Sequence, residues 1–283
     1  MAKQAKVSIW DVDRGLSVHV VSPNGKRIVI DLGTGERNPS PIYSIRNEKI
    51  SFMVITHPHQ DHISDIAALD YVKPHILLRP KEITNEYLLS GSDKDNELIK
   101  KYCEINSSYS QPVALDNVDS IANPDNYGGL SIVCFSSNEK VHSDINENSI
   151  ITILSIGSRK IVVCGDNGEE SLSTLMKVEK FKSAVSDAYV LIAPHHGLDS
   201  SFYEPFVSLV NPYITVISDG RHLDRVSEGK YASHSKGWSV YRSGVTVEKC
   251  QCISTRKFGN IFITFGESEN EKYTGLLNIN TEK

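Results

Sequence analysis

The sequence predicts an α/β fold, and three observations support this class. The first third contains short alternating segments rich in β-branched residues, KVSIWDV, LSVHVVS and KRIVIDLG, with an Asn24-Gly25 turn before the third. Helical spacing appears in ISDIAALDYV, directly after the apolar, strand-length run SFMVITH. The chain has 283 residues, of which 39% are hydrophobic, and this is enough to bury a sizeable core. We predict that residues 1–283 form one domain.

Later segments continue to alternate between strands and helices. SIITILSIG and RKIVVCGD predict a hairpin around Gly157-Ser158, followed by a helix from about Glu169 to Ser183 and the strand AYVLIAP. The polar stretch at about 81–126 predicts an insertion over the functional site. We expect a last pair of strands in the 245–254 region and in NIFITFG, and a peripheral tail at about 267–283.

Composition narrows the environment and the partners. No run approaches the roughly 18 apolar residues of a membrane span, so no membrane association is predicted. The start MAKQAKVSIWDVD lacks the apolar core of an export signal, and the five cysteines are scattered. We therefore expect a cytoplasmic protein with free thiols. The net charge of −5 gives no global basic field, which disfavours a long polymeric nucleic acid as substrate but allows a local basic groove.

The string His57-Pro58-His59-Gln60-Asp61-His62 concentrates three imidazoles and one carboxylate in six residues. Such side chains are common ligands of Zn²⁺ and Mn²⁺, and a tight loop can direct them at two neighbouring cations. Two later strands also end in residues of this kind, one at Asp166 and the other at the pair His195-His196. The sequence therefore predicts a centre for two divalent metal ions, Zn²⁺ or Mn²⁺, where these strand ends meet.

These motifs resemble the metallo-β-lactamase superfamily. HPHQDH matches its HxHxDH signature, and the segment from Asp11 to Ser17 is similar to the D-V-x-x-G-x-S opening of the ComEC-like branch. KIVVCGD and VLIAPHHG then follow in the order found in that branch. The resemblance covers about 6–265 and implies an αββα sandwich.

The resemblance also implies a set of metal ligands. His57 and His59 would bind one ion, Asp61 and His62 the other, and Asp166 would bridge the two. One histidine of the pair His195-His196 would complete the second site; we favour His195 and assign His196 to catalysis, although the sequence does not separate them. Other branches have a further histidine before the bridging carboxylate. Here His75 and His142 lie in that interval and neither fits the pattern well, so either His142 fills that place or substrate or water does.

The reaction implied by the resemblance is hydrolysis of a phosphodiester by a metal-bound hydroxide, which Asp61 could orient. The substrate would be a nucleic acid or a small nucleotide. His234 lies where the ComEC-like branch has a glycine-histidine-proline element, which implies that it protonates the leaving oxygen or binds phosphate. Its neighbours here are Ser233 and Ser235, so a solvated loop histidine is the alternative. Lys236 and Arg221 either neutralise phosphate or are solvated.

Two other function classes stay open. The same centre could hydrolyse a thioester or a lactam, or the metals could stabilise a non-catalytic binding module. Several residues are predicted to support the site without binding metal. Asp31 and Asp11 are expected to buttress the histidine loop, and Asn148-Ser149 either approach the metals or form a turn.

Overall fold

The computed structural model describes residues 2–91, 96–114, 116–137, 144–220, 226–242, 245–268 and 275–283. Their strands form two sheets. In the described residues one sheet has nine strands, in the spatial order β12 (Val245–Cys250), β11 (Trp238–Arg242), β15 (Leu276–Thr281), β14 (Ile261–Gly266), β1 (Gln4–Ile9), β2 (Val18–Val21), β3 (Arg27–Ile30), β4 (Ile50–Val54) and β5 (Ile76–Leu78). The other has six, in the order β13 (Cys252–Ser254), β10 (Ile214–Ile217), β9 (Val190–Ile192), β8 (Arg159–Val163), β7 (Ile151–Ile156) and β6 (Ser131–Phe135).

The predicted meander is confirmed in the first three strands. β1 pairs antiparallel with β2, and β2 with β3, so that Val7 faces Val20 and Val20 faces Ile28. Alternate residues of β1 are buried, as expected for a strand with one face on the core. Gly25 closes the turn between β2 and β3 by donating its N–H to the carbonyl of Ser22.

The strands that lead into the predicted site run parallel to their neighbours. β4 pairs parallel with β3 and β5 in the larger sheet, whereas β8, β9 and β10 are parallel in the smaller one. Parallel strands place their carboxyl ends at one edge of a sheet, and polar residues from several strands can meet there. The segments that follow β4, β8 and β9 carry the candidate ligands.

Helices cover the outer faces of both sheets and complete a helix–sheet–sheet–helix arrangement. Between the sheets lies a continuous apolar core to which both contribute, with Val7 and Phe52 on one side and Leu154 and Val190 on the other. The helices are α1 (Gln60–Ile63), α2 (Asn85–Ser90), α3 (Glu97–Ser108), α4 (Glu169–Leu175), α5 (Glu179–Val185), α6 (Glu204–Val210), α7 (Glu228–Ser233) and α8 (Thr255–Phe258). α1 and α3 pack on the larger sheet, and α4 to α6 on the smaller. None of the described helices has the length and apolar character that a bilayer crossing needs.

The hairpin around Gly157-Ser158 is confirmed, because β7 pairs antiparallel with β8. The single helix predicted from Glu169 to Ser183 is wrong, since the segment forms α4 and α5 with a break between them. Leu172 and Phe181 are nine positions apart, so one continuous helix would place them on opposite faces. The break lets both side chains bury completely against the smaller sheet.

The carboxyl-terminal strands differ from the prediction. The region 245–254 does not pair with 261–266: it divides into β12, which pairs with β11, and β13, which pairs with β10 in the other sheet. Within the segment predicted as a peripheral tail, residues 276–281 are not peripheral, because β15 pairs with both β14 and β11 and buries Ile279 fully. The pairs β10–β13 and β11–β15 join strands that are not consecutive in the chain, so the alternation within each strand did not reveal them.

Candidate metal centre

The loop that follows β4 carries the histidine motif into the short helix α1. It starts at Thr56 and buries His57 and His62, whereas His59 is half-buried. The β8 strand leads to Asp166, and the segment after β9 leads to His196. The structure thus brings together residues that are far apart in sequence.

Asp166 lies at the centre of this cluster. Its Oδ1 is 3.0 Å from Nε2 of His62, and its Oδ2 is 3.4 Å from Nε2 of His196 and 3.9 Å from Nε2 of His57. Asp61 also contacts this cluster, with Oδ2 3.4 Å from Nε2 of His196. Asp61, His62, Asp166 and His196 place one potential ligand atom each within 4.8 Å of one another.

His195 and His196 both direct Nε2 toward Oδ2 of Asp166, but they differ in burial. His196 is 3% exposed and belongs to the four-residue group, whereas His195 presents Nε2 to Asp166 Oδ2 at 3.6 Å and its side chain is 17% exposed. Both residues are left-handed, with φ of 47° and 54°. Such backbone is unfavourable for residues other than glycine and concentrates at functional sites.

Three imidazoles are oriented by partners on their Nδ1 atoms. His62 Nδ1–H donates to Asp31 Oδ2 at 2.7 Å, and His196 Nδ1–H donates to the carbonyl of Ser218 at 2.9 Å. The hydroxyl of Thr56 donates to Asp31, so it can only accept from the nearby Nδ1–H of His57. Each of these rings can therefore direct an unprotonated Nε2 inward. The prediction that Asp31 supports the histidine loop is confirmed.

The resulting arrangement fits a divalent cation. Nε2 of His57 is buried with no hydrogen-bond partner among the described residues. Nε2 of His62 lies 3.3 Å from Nε2 of His196, so two lone pairs would face each other unless a proton or a cation lies between them. Imidazole nitrogens and carboxylate oxygens with supporting hydrogen bonds are a typical ligand set for zinc.

The pKa values of the histidines in the metal-free cluster also favour a cation at this position. Burial alone would lower the pKa of His62, but Asp166 and Asp31 raise it well above its usual range. Burial likewise opposes protonation of His196, and Asp166 and Asp61 nevertheless raise its pKa to about 9. Burial lowers the pKa of His57 well below normal. Protons thus occupy part of the place that a metal would take, and metal binding must release them.

Comparison with known proteins settles the family. Residues 11–218 match the sequence model of the Metallo-beta-lactamase superfamily. The chain belongs to the metallo-β-lactamase superfamily. This confirms the predicted αββα fold and the predicted resemblance, and members of the superfamily are generally metal-dependent hydrolases.

Two curated proteins from the ComEC-like branch of this superfamily are similar to the chain in sequence. ComE operon protein 3 of Bacillus subtilis (strain 168) is 23% identical over 246 residues, which cover 78% of this chain and 29% of that protein. Competence protein ComA of Neisseria gonorrhoeae is 24% identical over 224 residues, which cover 77% and 27%. The chain therefore spans less than a third of the length of these relatives.

Solved structures of the fold are also similar. The metallo-beta-lactamase fold protein YhfI from Bacillus subtilis matches with a TM-score of 0.45 and 15% identity, covering 78% of this chain and 88% of that one. A long form RNase Z from yeast matches with a TM-score of 0.44 and 12% identity, covering 99% of this chain and 49% of that one.

In this member of the superfamily, Ser149 and Gly165 hold the two ligand loops together. The hydroxyl of Ser149 lies 3.1 Å from His57 Nδ1 and accepts the N–H of Asp166 at 3.1 Å. Gly165 has φ of 57°, and a Cβ there would approach side-chain carbons of Thr56 and Ser149 to 2.9 and 3.0 Å. The approach of Ser149 to the metal centre, which the sequence left open, is thus found.

A cleft of about 980 Å³ opens beside the metallo-β-lactamase centre. His59 and Asp61 line it together with Arg14. Leu88 of α2 and Asn96, which precedes α3, also line it. Residues from the segment predicted as an insertion therefore shape the access to the site.

Other predicted residues lie elsewhere. The ring of His234 contacts Phe202, and its Nε2 is 3.7 Å from Glu204; among the described contacts none joins it to the cluster. The carboxylate of Asp11, which was predicted to support the histidine loop, pairs with Arg37 and Lys283. Lys236 lies over the ring of Tyr213. His142 and Arg221 lie outside the described residues.

Sequence reasoning missed three contributors to the site. Thr56 and Ser218 orient imidazoles, one through a hydroxyl and the other through a backbone carbonyl, and neither role has a sequence signature. Arg14 occupies a variable position of the D-V-x-x-G-x-S segment, so the motif did not mark it. The loop that carries Arg14 and the loop that carries the histidine motif both follow a strand. This shared location is the one sequence signal that could have indicated that they lie close together.

Proposed function

We propose that this chain is a hydrolase of phosphodiesters that uses two divalent metal ions, Zn²⁺ or Mn²⁺. The observation that carries the proposal is that three histidines and two aspartates converge: His57, His62, His196, Asp61 and Asp166. Hydrogen bonds at Nδ1 orient the imidazoles, and short contacts join them to the carboxylates. A cluster of this composition is costly to bury without a cation.

The proposed ligand set follows the sequence prediction with one exchange. His57 and His59 would hold one ion, Asp61 and His62 the other, and Asp166 would lie between the two. We now propose His196 for the second ion in place of His195, supported by its membership of the four-residue group and by its hydrogen bond to Ser218.

When bound, the two ions would lower the pKa of a water molecule and stabilise negative charge on the attacked group. The protein's own residues hold the geometry. Asp31 and the Ser218 carbonyl fix the rings of His62 and His196, so little reorganisation is needed during the reaction. His195 lies 3.6 Å from Asp166 and burial lowers its pKa, so it would be available as a neutral base for a proton of the water molecule. Asp61 would orient that water.

A phosphodiester is proposed over a thioester or a lactam because the motifs resemble the ComEC-like branch, whose relatives are nucleases and phosphodiesterases more often than lactamases. Nucleic acid and small nucleotide both remain proposed substrates. The cytoplasm is the proposed location, supported by the five cysteines, which are scattered through the sequence without the spacing of a disulfide framework. Titration of the denatured protein without reductant should find five thiols, and two stable disulfides would contradict this location.

The first experiment measures metal content and substrate class together. The purified protein should bind about two Zn²⁺ or Mn²⁺ per chain by elemental analysis, and Asp166→Ala should lose at least one because its carboxylate lies between the sites. Asp70→Ala is the control, since Asp70 forms a surface pair with Lys101. Two ions retained by Asp166→Ala would refute the assignment.

The same protein should hydrolyse bis-p-nitrophenyl phosphate in a metal-dependent way. Nitrocefin and a glutathione thioester serve as competing substrates, and preference for either would replace the phosphodiester proposal with the corresponding hydrolase. If the metal-loaded protein hydrolyses none of these three substrates, a non-catalytic binding module would be favoured.

A further inference from the structure

Arg14 is a positive charge at the open side of the metal centre. It lies between β1 and β2, and its Nε is 3.5 Å from Oδ2 of Asp61. Its side chain is 55% exposed and lines the cleft together with His59. The guanidinium is therefore accessible from the space in which a substrate at the centre would lie.

The backbone that carries Arg14 is held firmly on both sides. Gly15 has φ of 144°, and a Cβ there would be 2.5 Å from the carbonyl oxygen of Asp61. The hydroxyl of Ser218 donates to the carbonyl of Gly15 at 2.7 Å, and Gly220 packs against the backbone nitrogen of Arg14. The loop is thus clamped between the segment that carries Asp61 and the segment that orients His196.

The contact with Asp61 does not account for this placement. A separation of 3.5 Å is longer than a normal charge-assisted hydrogen bond, and exposed pairs of this kind contribute little to stability. By contrast, the buried carboxylate of Asp119 has Lys26 at 2.9 Å. A cation bound by Asp61 would also neutralise the carboxylate, which would leave the charge of Arg14 without compensation.

We infer that Arg14 binds a non-bridging oxygen of the substrate phosphodiester and so sets the preference of the site for an anionic substrate. This inference rests on the proposed function. A guanidinium is planar and always charged, and its paired N–H groups match the spacing of two phosphate oxygens. Arg14 lines the cleft beside Asp61, so a phosphate bound by the metal ions that Asp61 and Asp166 would hold could also contact the guanidinium.

The test measures binding separately from turnover. Isothermal titration of the metal-loaded protein with inorganic phosphate compares the wild type, Arg14→Gln and Arg14→Lys. Arg46→Gln is the matched control, because Arg46 is an exposed arginine that stacks on Tyr43 and does not line the cleft. We expect about tenfold weaker phosphate binding in Arg14→Gln, partial recovery in Arg14→Lys and no change in Arg46→Gln.

Kinetics then separate substrate binding from support of the metal site. Arg14→Gln should raise KM for bis-p-nitrophenyl phosphate about tenfold and leave KM for neutral p-nitrophenyl acetate unchanged. An unchanged phosphate dissociation constant would overturn the inference, and so would loss of metal in Arg14→Gln, since the residue would then act through Asp61. If phosphate binding responds as expected but the wild type cleaves no phosphodiester, the proposed function fails and the anion-binding role of Arg14 stands.

Discussion

Asp31→Asn is expected to weaken metal binding without changing any proposed ligand. The Asp31 carboxylate is fully buried and accepts three hydrogen bonds at 2.7 Å, from the backbone N–H and the hydroxyl of Thr56 and from Nδ1–H of His62. If the amide oxygen keeps the backbone N–H of Thr56, the amide NH₂ replaces the oxygen that accepted from His62. Two donors then face each other, and His62 is free to carry its proton on Nε2, where a metal must bind.

The expected magnitude follows from the role of such a partner. Loss of the group that orients a metal-binding histidine typically weakens affinity about 10- to 100-fold, or about 1.4–2.7 kcal/mol. The variant should also be less stable, because each buried donor without an acceptor costs about 1–3 kcal/mol. Its affinity for Zn²⁺ can be measured by competition with a chromophoric chelator, and its stability by urea unfolding.

The control variant Asp119→Asn separates the loss of metal affinity from the loss of stability. Asp119 is equally buried and accepts from Nδ1–H of His75 at 2.9 Å, but none of its described contacts is with the metal centre. We expect it to lose stability and to retain wild-type Zn²⁺ affinity. Wild-type affinity in a folded Asp31→Asn protein, or equal losses in both variants, would refute the reasoning that the His62 tautomer is fixed by Asp31.

The remaining predictions concern four histidines. His196→Ala should lose one metal ion by elemental analysis, whereas His195→Ala should keep both and lower kcat; the reverse pattern would restore the original assignment of His195. If His234 protonates the leaving oxygen, His234→Ala should keep the metals and lower kcat roughly 10²-fold on a poor leaving group but far less on a nitrophenolate; equal losses would indicate structural support through Phe202. Burial, with a smaller effect of Arg27, lowers the pKa of His19 to about 4. The fold therefore holds the neutral ring, and stability that is complete above about pH 6.5 should fall by up to about 3 kcal/mol as the pH drops toward 4. His19→Phe should flatten this dependence in urea unfolding, and an unchanged slope would contradict it.

Much of the fold was predictable because it depends on local patterns. The alternation in β1 to β3, the Asn24-Gly25 turn and the hairpin at Gly157-Ser158 each follow from side-chain periodicity and turn chemistry within a few residues. The break between α4 and α5 and the position of β15 were not predictable in this way. The break depends on burial of Leu172 and Phe181 against the smaller sheet, and the position of β15 depends on its pairing with the non-consecutive strand β11 in the larger one.

For the site, the sequence by itself determined the chemical inventory: the histidine motif, Asp166 and the histidine pair at strand ends, and Asp31 as a supporting carboxylate. Only the tertiary structure decided which histidine of the pair joins the four-residue group and that Arg14 faces the cleft. His195 and His196 are neighbours with similar left-handed backbones, so local sequence does not distinguish them. What separates them is the carbonyl of Ser218, which follows the neighbouring strand β10, and the carboxylate of Asp61, which lies in the segment that follows β4 of the other sheet. The first contact exists only once β9 and β10 have paired, and the second only once the two sheets have packed together.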